Sequence, residues 1–424
     1  MSSLLNRIYG WLGIRSQSKR VLLLSGEARR VASLRAVAPP KHVMSTPEPA
    51  PLNVDAKRKA LHAAFNSSRP VDAAAELAGR EQEIATLVAT VFDEEAHALI
   101  HGARGSGKTS LARVFGTQAD QRGIVTIYFA CDAIGSFAAL LGPYLPFIPA
   151  MSVAREEQAG FRQRLNTLGS AFGPRELVSV LAEVTSARLL FILDEFDRIT
   201  DRALQEDVAT FMKLLSDARV PLQLIIVGIA GNVNDLIELH PSLRRHLVAI
   251  GLRRIGDDSV RSLIAGGSQR SGVVFDTAAT RLIEKASAGS PYHVRLFCHQ
   301  AGLAALARSA TMVDEAAALQ GLAAATRRWA SLNQEDSALF DHLAREPAAR
   351  ATLTQIAVQA AIDDGFTQAP GAVSHGLDDA LMTDGRQLGR TLFRDTLAPQ
   401  FLIATLILAE RRQGDGTFVA GDLS

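Results

Sequence analysis

Cysteine is nearly missing from this chain: Cys131 and Cys298 are the only two in 424 residues. They lie far apart and without the spacing of a ligand pair, which excludes a disulfide framework or zinc site as the organising feature and makes a reducing, cytoplasmic setting the expected localisation. Long apolar runs are missing too. A membrane-spanning helix needs roughly 18 to 20 apolar residues, and the longest runs, near 21–24 and 401–409, fall well short. Arg7, Gly10 and Gly13 interrupt the short apolar stretches of the N-terminus, so no secretory signal is read there. Charge of one sign is not in excess either: 45 basic against 44 acidic residues leave a formal net charge of +1. A nucleic-acid or anionic-membrane surface would therefore have to be local.

What is there is globular in kind, with 47% hydrophobic and 21% charged residues. The length exceeds what one core usually organises, so two folded domains plus some loosely held sequence are expected. Residues 1–66 form a basic leader that runs into a linker containing Pro47, Pro49 and Pro51. Within it Leu4, Leu5, Ile8, Trp11 and Leu12 recur at helical spacing, so residues 3–14 either make weak contact with an acidic membrane or a partner or form a plain basic tail. Residues 67–255 alternate helix-like stretches with short β-branched and apolar runs at 98–101, 124–131, 189–193 and 222–229. That alternation predicts an α/β fold, a parallel sheet with helices on both faces. Residues 256–330 read as a small helical lid, with Asp276 capping a helix and a break at Gly289-Ser290-Pro291. Residues 331–424 read as a mostly helical domain, with helices near 336–343, 353–361 and 399–412. No internal repeat is found.

Two short motifs carry chemistry. Gly102-Ala103-Arg104-Gly105-Ser106-Gly107-Lys108-Thr109 fits G-x-x-x-x-G-K-[ST] at every specified position, after one expected strand and before an expected helix over 109–115. Glycines let backbone N–H groups wrap phosphate oxygens, and the helix start adds the positive end of its dipole. Lys108 would neutralise the terminal phosphates of ATP, Thr109 would offer its hydroxyl to Mg²⁺, and Ser110 closes the loop. Further on, the run 189–193 ends directly in Asp194-Glu195. A buried strand there delivers two carboxylates to the carboxyl edge of the sheet, where open α/β folds bind ligands. Asp194 would hold Mg²⁺, and Glu195 would orient and deprotonate the attacking water.

With Leu77-Ala78-Gly79-Arg80-Glu81 ahead of the first strand, these elements resemble AAA+ ATPases of the origin-recognition and initiator clade over residues 77–300. The resemblance implies an Mg²⁺-dependent ATPase in which Leu77, Ala78 and Arg80 pack against adenine. It implies a polar sensor at Asn232, with Asn234 as second choice, and an arginine finger at Arg245 acting across the interface of a homo-oligomer. The lid departs from the family pattern, because Arg295 falls late after Gly289. Gly289-Ser290-Pro291 is also similar to the G-x-P of STAND signalling ATPases, and 227–254 to transposition-helper ATPases of bacteria. The region carrying Arg386, Arg390 and Arg394 resembles a winged helix, used either on duplex DNA or for protein docking; Asp363, Asp364, Asp378, Asp379 and Asp384 weigh against DNA. Two functions follow as expectations: an ATPase that assembles on or remodels DNA or a nucleoprotein, or a signalling switch acting on a protein partner.

Overall fold

The computed structural model describes residues 53–131, 135–148, 153–228, 241–363, 365–367, 376–383 and 391–414. Its centre is a five-stranded sheet built from β1 (His97–Gly102), β2 (Val125–Ala130), β3 (Leu189–Asp194), β4 (Leu222–Gly228) and β5 (Leu247–Leu252). The spatial order is β2-β3-β4-β1-β5, and every pairing is parallel. Parallel strands need crossover helices, which cover both faces, so central strands are buried throughout. β3 and β4 are buried at each position. Alternate residues feed opposite cores: Ala98, Ile100, Leu190 and Ile192 pack with Leu111 and Phe115, while Leu99, Leu189, Phe191 and Leu193 pack with Phe129 and Phe211.

The four expected strands stand within a residue or so of where the sequence put them. β5 was not anticipated. Leu247–Leu252 contains no polar residue, yet it is an edge strand that pairs only with β1 and its burial is irregular.

Helices follow as expected over the lid: Asp257–Ser271, Thr277–Ser287, Pro291–Ala307 and Glu315–Ala330. Asp276 caps the second of these by accepting from the Ala279 N–H at 2.7 Å. The C-terminal region adds helices Gln334–Leu343, Pro347–Ile362 and Ala398–Gly414 and a small antiparallel sheet of Phe366–Thr367, Thr391–Phe393 and Leu381–Thr383. One apolar core runs through both regions, from Val260 and Phe297 in the lid to Phe393 and Phe401 beyond it. Residues on both sides of 330 thus share one buried cluster.

Helix Val54–Ala64 falls inside the expected leader, yet Leu61 and Phe65 are fully buried in that same core. Leu61 fills the space where a side chain at Gly302 would stand, and Phe65 the space at Gly267, so two glycines cut the notch that receives this helix. The helix also carries Lys57, Arg58, Lys59 and His62, which is why its short apolar stripe did not stand out. No described helix is long and apolar enough to cross a membrane. The leader residues 3–14 lie outside the described residues.

Candidate nucleotide site

The loop between β1 and helix Lys108–Asp120 turns on Gly102, Gly105 and Gly107, all at positive φ. At Gly107, with φ 94°, an L side chain would be strained, so the last turn before the helix depends on glycine. Lys108 Nζ donates to the carbonyls of Gly102 and Ala103 at 2.8 and 2.9 Å, which folds the ammonium back across its own loop. The Ser106 hydroxyl is buried and has no hydrogen-bond partner among the described residues. A buried donor left over in a phosphate-binding loop fits an anionic ligand, since leaving it unmade costs free energy.

β3 brings the acidic end beside this loop. Asp194 is buried, and Thr109 Oγ1 donates to its Oδ1 at 3.3 Å. Its other oxygen accepts from the hydroxyl of Tyr128 on β2. Burial, then the bond to Asp194, pushes the Tyr128 phenol well above its ordinary pKa, so it remains a donor. Arg113 covers the Tyr128 ring at 5.0 Å. The Glu195 N–H donates to Asp194 Oδ1 at 2.9 Å, and Glu195 itself takes a left-handed backbone, φ 56° and ψ 39°, uncommon for a residue with a Cβ. Its carboxylate is exposed and pairs with Arg198, Nη1 to Oε2 at 2.8 Å. The adjoining cavity, about 530 Å³, is lined by Arg104, Gly105, Gly107, Lys108, Thr109, Ser110, Asp194, Glu195 and Arg198, with Ser67 to Val71 along one wall and Tyr292 and Arg295 from the lid.

The remaining expected residues are placed differently. Arg80 is buried and its Nη2 donates to the carbonyls of Ser106 and Arg253 at 2.8 and 2.6 Å, so it braces the loop from behind. Burial lowers its pKa, and Glu83 offsets this by pairing at 2.8 Å. Leu77 and Ala78 line a separate cleft shared with Ser259 and Ser262. The wall of the phosphate cavity comes instead from residues 67–71, tied down by Val71 N–H to Ser110 Oγ at 3.2 Å. Arg295, late in its motif, donates to the carbonyls of Ala64 and Glu76 at 3.1 and 2.9 Å while lining the same cavity. Arg245 is exposed on the turn Pro241–Arg245, just ahead of β5. Leu247 pairs with His97, the first residue of β1, so Arg245 sits at the end of the sheet opposite its own phosphate loop. Asn232, Asn234, Arg386 and Arg390 lie outside the described residues.

Sequence reasoning missed Tyr128, Arg198, Tyr292 and the wall at 67–71. Arg198 carried a usable signal, since it follows Glu195 by one turn of helix; the others are brought in from remote segments.

A glycine-wrapped loop at the carboxyl end of β1, beside an acidic end of β3 in a parallel sheet, defines a P-loop nucleotide-binding protein. Residues 76–227 match the family model described as the AAA ATPase domain. Among solved structures, the chain is similar to the ORC2 protein of Aeropyrum pernix at 14% identity, covering 83% of this chain and 98% of that one with a TM-score of 0.48. It is similar to a Walker-type ATPase of Pyrococcus abyssi at 18% identity, covering 80% and 99% with a TM-score of 0.46. The RuvB Holliday junction branch migration motor of Thermotoga maritima matches at 15% identity, covering 78% and 96% with a TM-score of 0.42. At these values the likeness identifies no substrate or partner. No curated protein matches the chain.

Proposed function

We propose that this protein binds and hydrolyses ATP with Mg²⁺ and couples its nucleotide state to assembly on, or remodelling of, a DNA or nucleoprotein partner. The observation that carries the hydrolytic part is the 3.3 Å contact between Thr109 and Asp194, which unites the phosphate loop and the acidic strand end in one cavity. A hard divalent ion takes oxygen ligands, and this hydroxyl and carboxylate are the set that would hold it; when bound it neutralises phosphate charge. Lys108 swings from the carbonyls of Gly102 and Ala103 to the phosphates, and the loop N–H groups and the Ser106 hydroxyl receive their oxygens. Glu195, one residue beyond Asp194, accepts the proton of the attacking water. Arg245, turned away from its own loop, serves the site of a neighbouring subunit.

Support for an anionic macromolecule comes from a second cleft, about 460 Å³, where Arg327, Arg345 and Arg350 outnumber Asp341 in the lining. Arg327 and Arg345 pair with no carboxylate among the described residues. The switch reading has its own support: the Tyr292 N–H reaches the Gly105 carbonyl at 3.4 Å, so lid and phosphate loop touch directly. Duplex DNA separates the two. Stimulated turnover with binding that weakens steeply as salt rises supports the first, and indifference to DNA supports the second. Glu195→Gln tests the hydrolytic assignment, which fails if turnover is unchanged.

A further inference from the structure

Besides Lys108, several cations border the phosphate cavity, and Arg198 is distinguished from them by its partner. Lys108 and Arg295 donate to backbone carbonyls, and Arg295 also lies 4.0 Å from Glu76. Arg198 instead holds Glu195, the carboxylate assigned above to proton acceptance, at 2.8 Å. The backbone enforces this pairing: Glu195 takes its left-handed conformation, and the Arg198 N–H closes the turn on the Glu195 carbonyl at 2.9 Å. Both side chains are 55% exposed and both line the cavity that Gly107, Lys108 and Thr109 enter from the other side.

An exposed pair of this kind is held weakly. A terminal phosphate carries more charge and offers a fork-shaped guanidinium two oxygens at once, so it competes well for the same group. We propose that Arg198 is a positioning residue that clasps Glu195 in the nucleotide-free protein and transfers to the terminal phosphate of ATP, so that the Glu195 side chain is released into the cavity only when a triphosphate is bound. This rests on the reading of Glu195 as the proton acceptor. It makes Arg198 a sensor of the third phosphate within the same chain.

The test is a double-mutant cycle on binding, with fluorescence titration of adenylyl imidodiphosphate and of ADP against the full chain, E195Q, R198A and the double variant. Freeing Arg198 by E195Q is expected to tighten the triphosphate analogue roughly threefold or more, with ADP unchanged. In the R198A background the same E195Q change is expected to do nothing, and R198A alone to reduce the preference for triphosphate over diphosphate. An equal gain with and without Arg198, or no gain at all, overturns the clasp. ADP affinity reports on folding in each variant, and R198Q replaces R198A if ADP binding is lost. K108A keeps the two levels apart: if it binds both nucleotides as well as the unaltered chain, the site assignment itself has failed, whereas loss of both with a flat cycle removes only the clasp.

Discussion

The sheet edge and the junction of lid with C-terminal helix use polar groups in opposite ways. At the sheet edge Glu195 and Arg198 are exposed around an open cavity, and Lys108 and Thr109 are half-buried beside it. At the junction His293 is wholly buried, edge-on to Phe401 at 5.0 Å, and Phe401 stacks on Trp329 at 4.8 Å. Its Nδ1 meets Ser290 Oγ at 2.9 Å, and Nε2 has no partner among the described residues. Groups kept near water hold their charge and can exchange partners; groups sealed among aromatics stay neutral and set stability. The two regions meet at Gly105, where a Cβ would lie 3.0 Å from that of Tyr292 and 3.3 Å from a methyl of Leu397.

Substitutions that act on one region and spare the other should sharpen this division. The largest effect is expected from Glu195→Gln, with turnover lowered about 10² to 10⁴-fold in an ATPase assay and thermal stability unchanged. Phe401→Ala should do the reverse. Its ring is 1% exposed in the shared core, so removal should cost about 3 to 5 kcal/mol in denaturant unfolding, with nucleotide affinity retained wherever the chain is folded.

Acid should separate the regions next. Burial holds His293 down to about 3, and His97, sealed at the start of β1, down to about 4. Both folded values lie below the ordinary imidazole value, so between them the unfolded chain binds protons that the folded chain refuses. Stability contributed by these neutral histidines is complete above about pH 6.5 and declines as pH falls, by roughly 2 kcal/mol per histidine at pH 5. Denaturant titrations at pH 7 and 5 would measure the slope, and His293→Leu should flatten part of it. The smallest effect is expected where the regions touch: Gly105→Ala, at φ 77°, should cost about 1 to 2 kcal/mol and weaken triphosphate binding modestly, as read by titration calorimetry.

How much of this was legible in the chain differs between the regions for a physical reason. Lys108, Thr109, Asp194 and Glu195 sit in two contiguous motifs whose spacing is set by the chemistry of phosphate, and β3 runs apolar without a break up to Asp194. The lid helices were visible through Asp276 and the break at Gly289. The wall at 67–71, the Tyr128 hydroxyl on Asp194 and the Gly105 junction are made by segments far apart in the chain, with no local pattern to mark them. The small C-terminal sheet was equally hidden, since strands of two or three residues carry no period. Helix Val54–Ala64 was masked by its cluster of Lys57, Arg58 and Lys59, although Leu61 and Phe65 anchor it in the core.

One measurement bears most directly on whether loop and acidic edge act as a unit: steady-state ATP turnover of Lys108→Ala, Asp194→Asn and the double variant. Groups that serve one reaction centre are non-additive, so the double variant is expected to be no slower than the slower single variant. Losses that multiply, or turnover that survives both changes, would mean that Thr109 and Asp194 are neighbours without sharing a site.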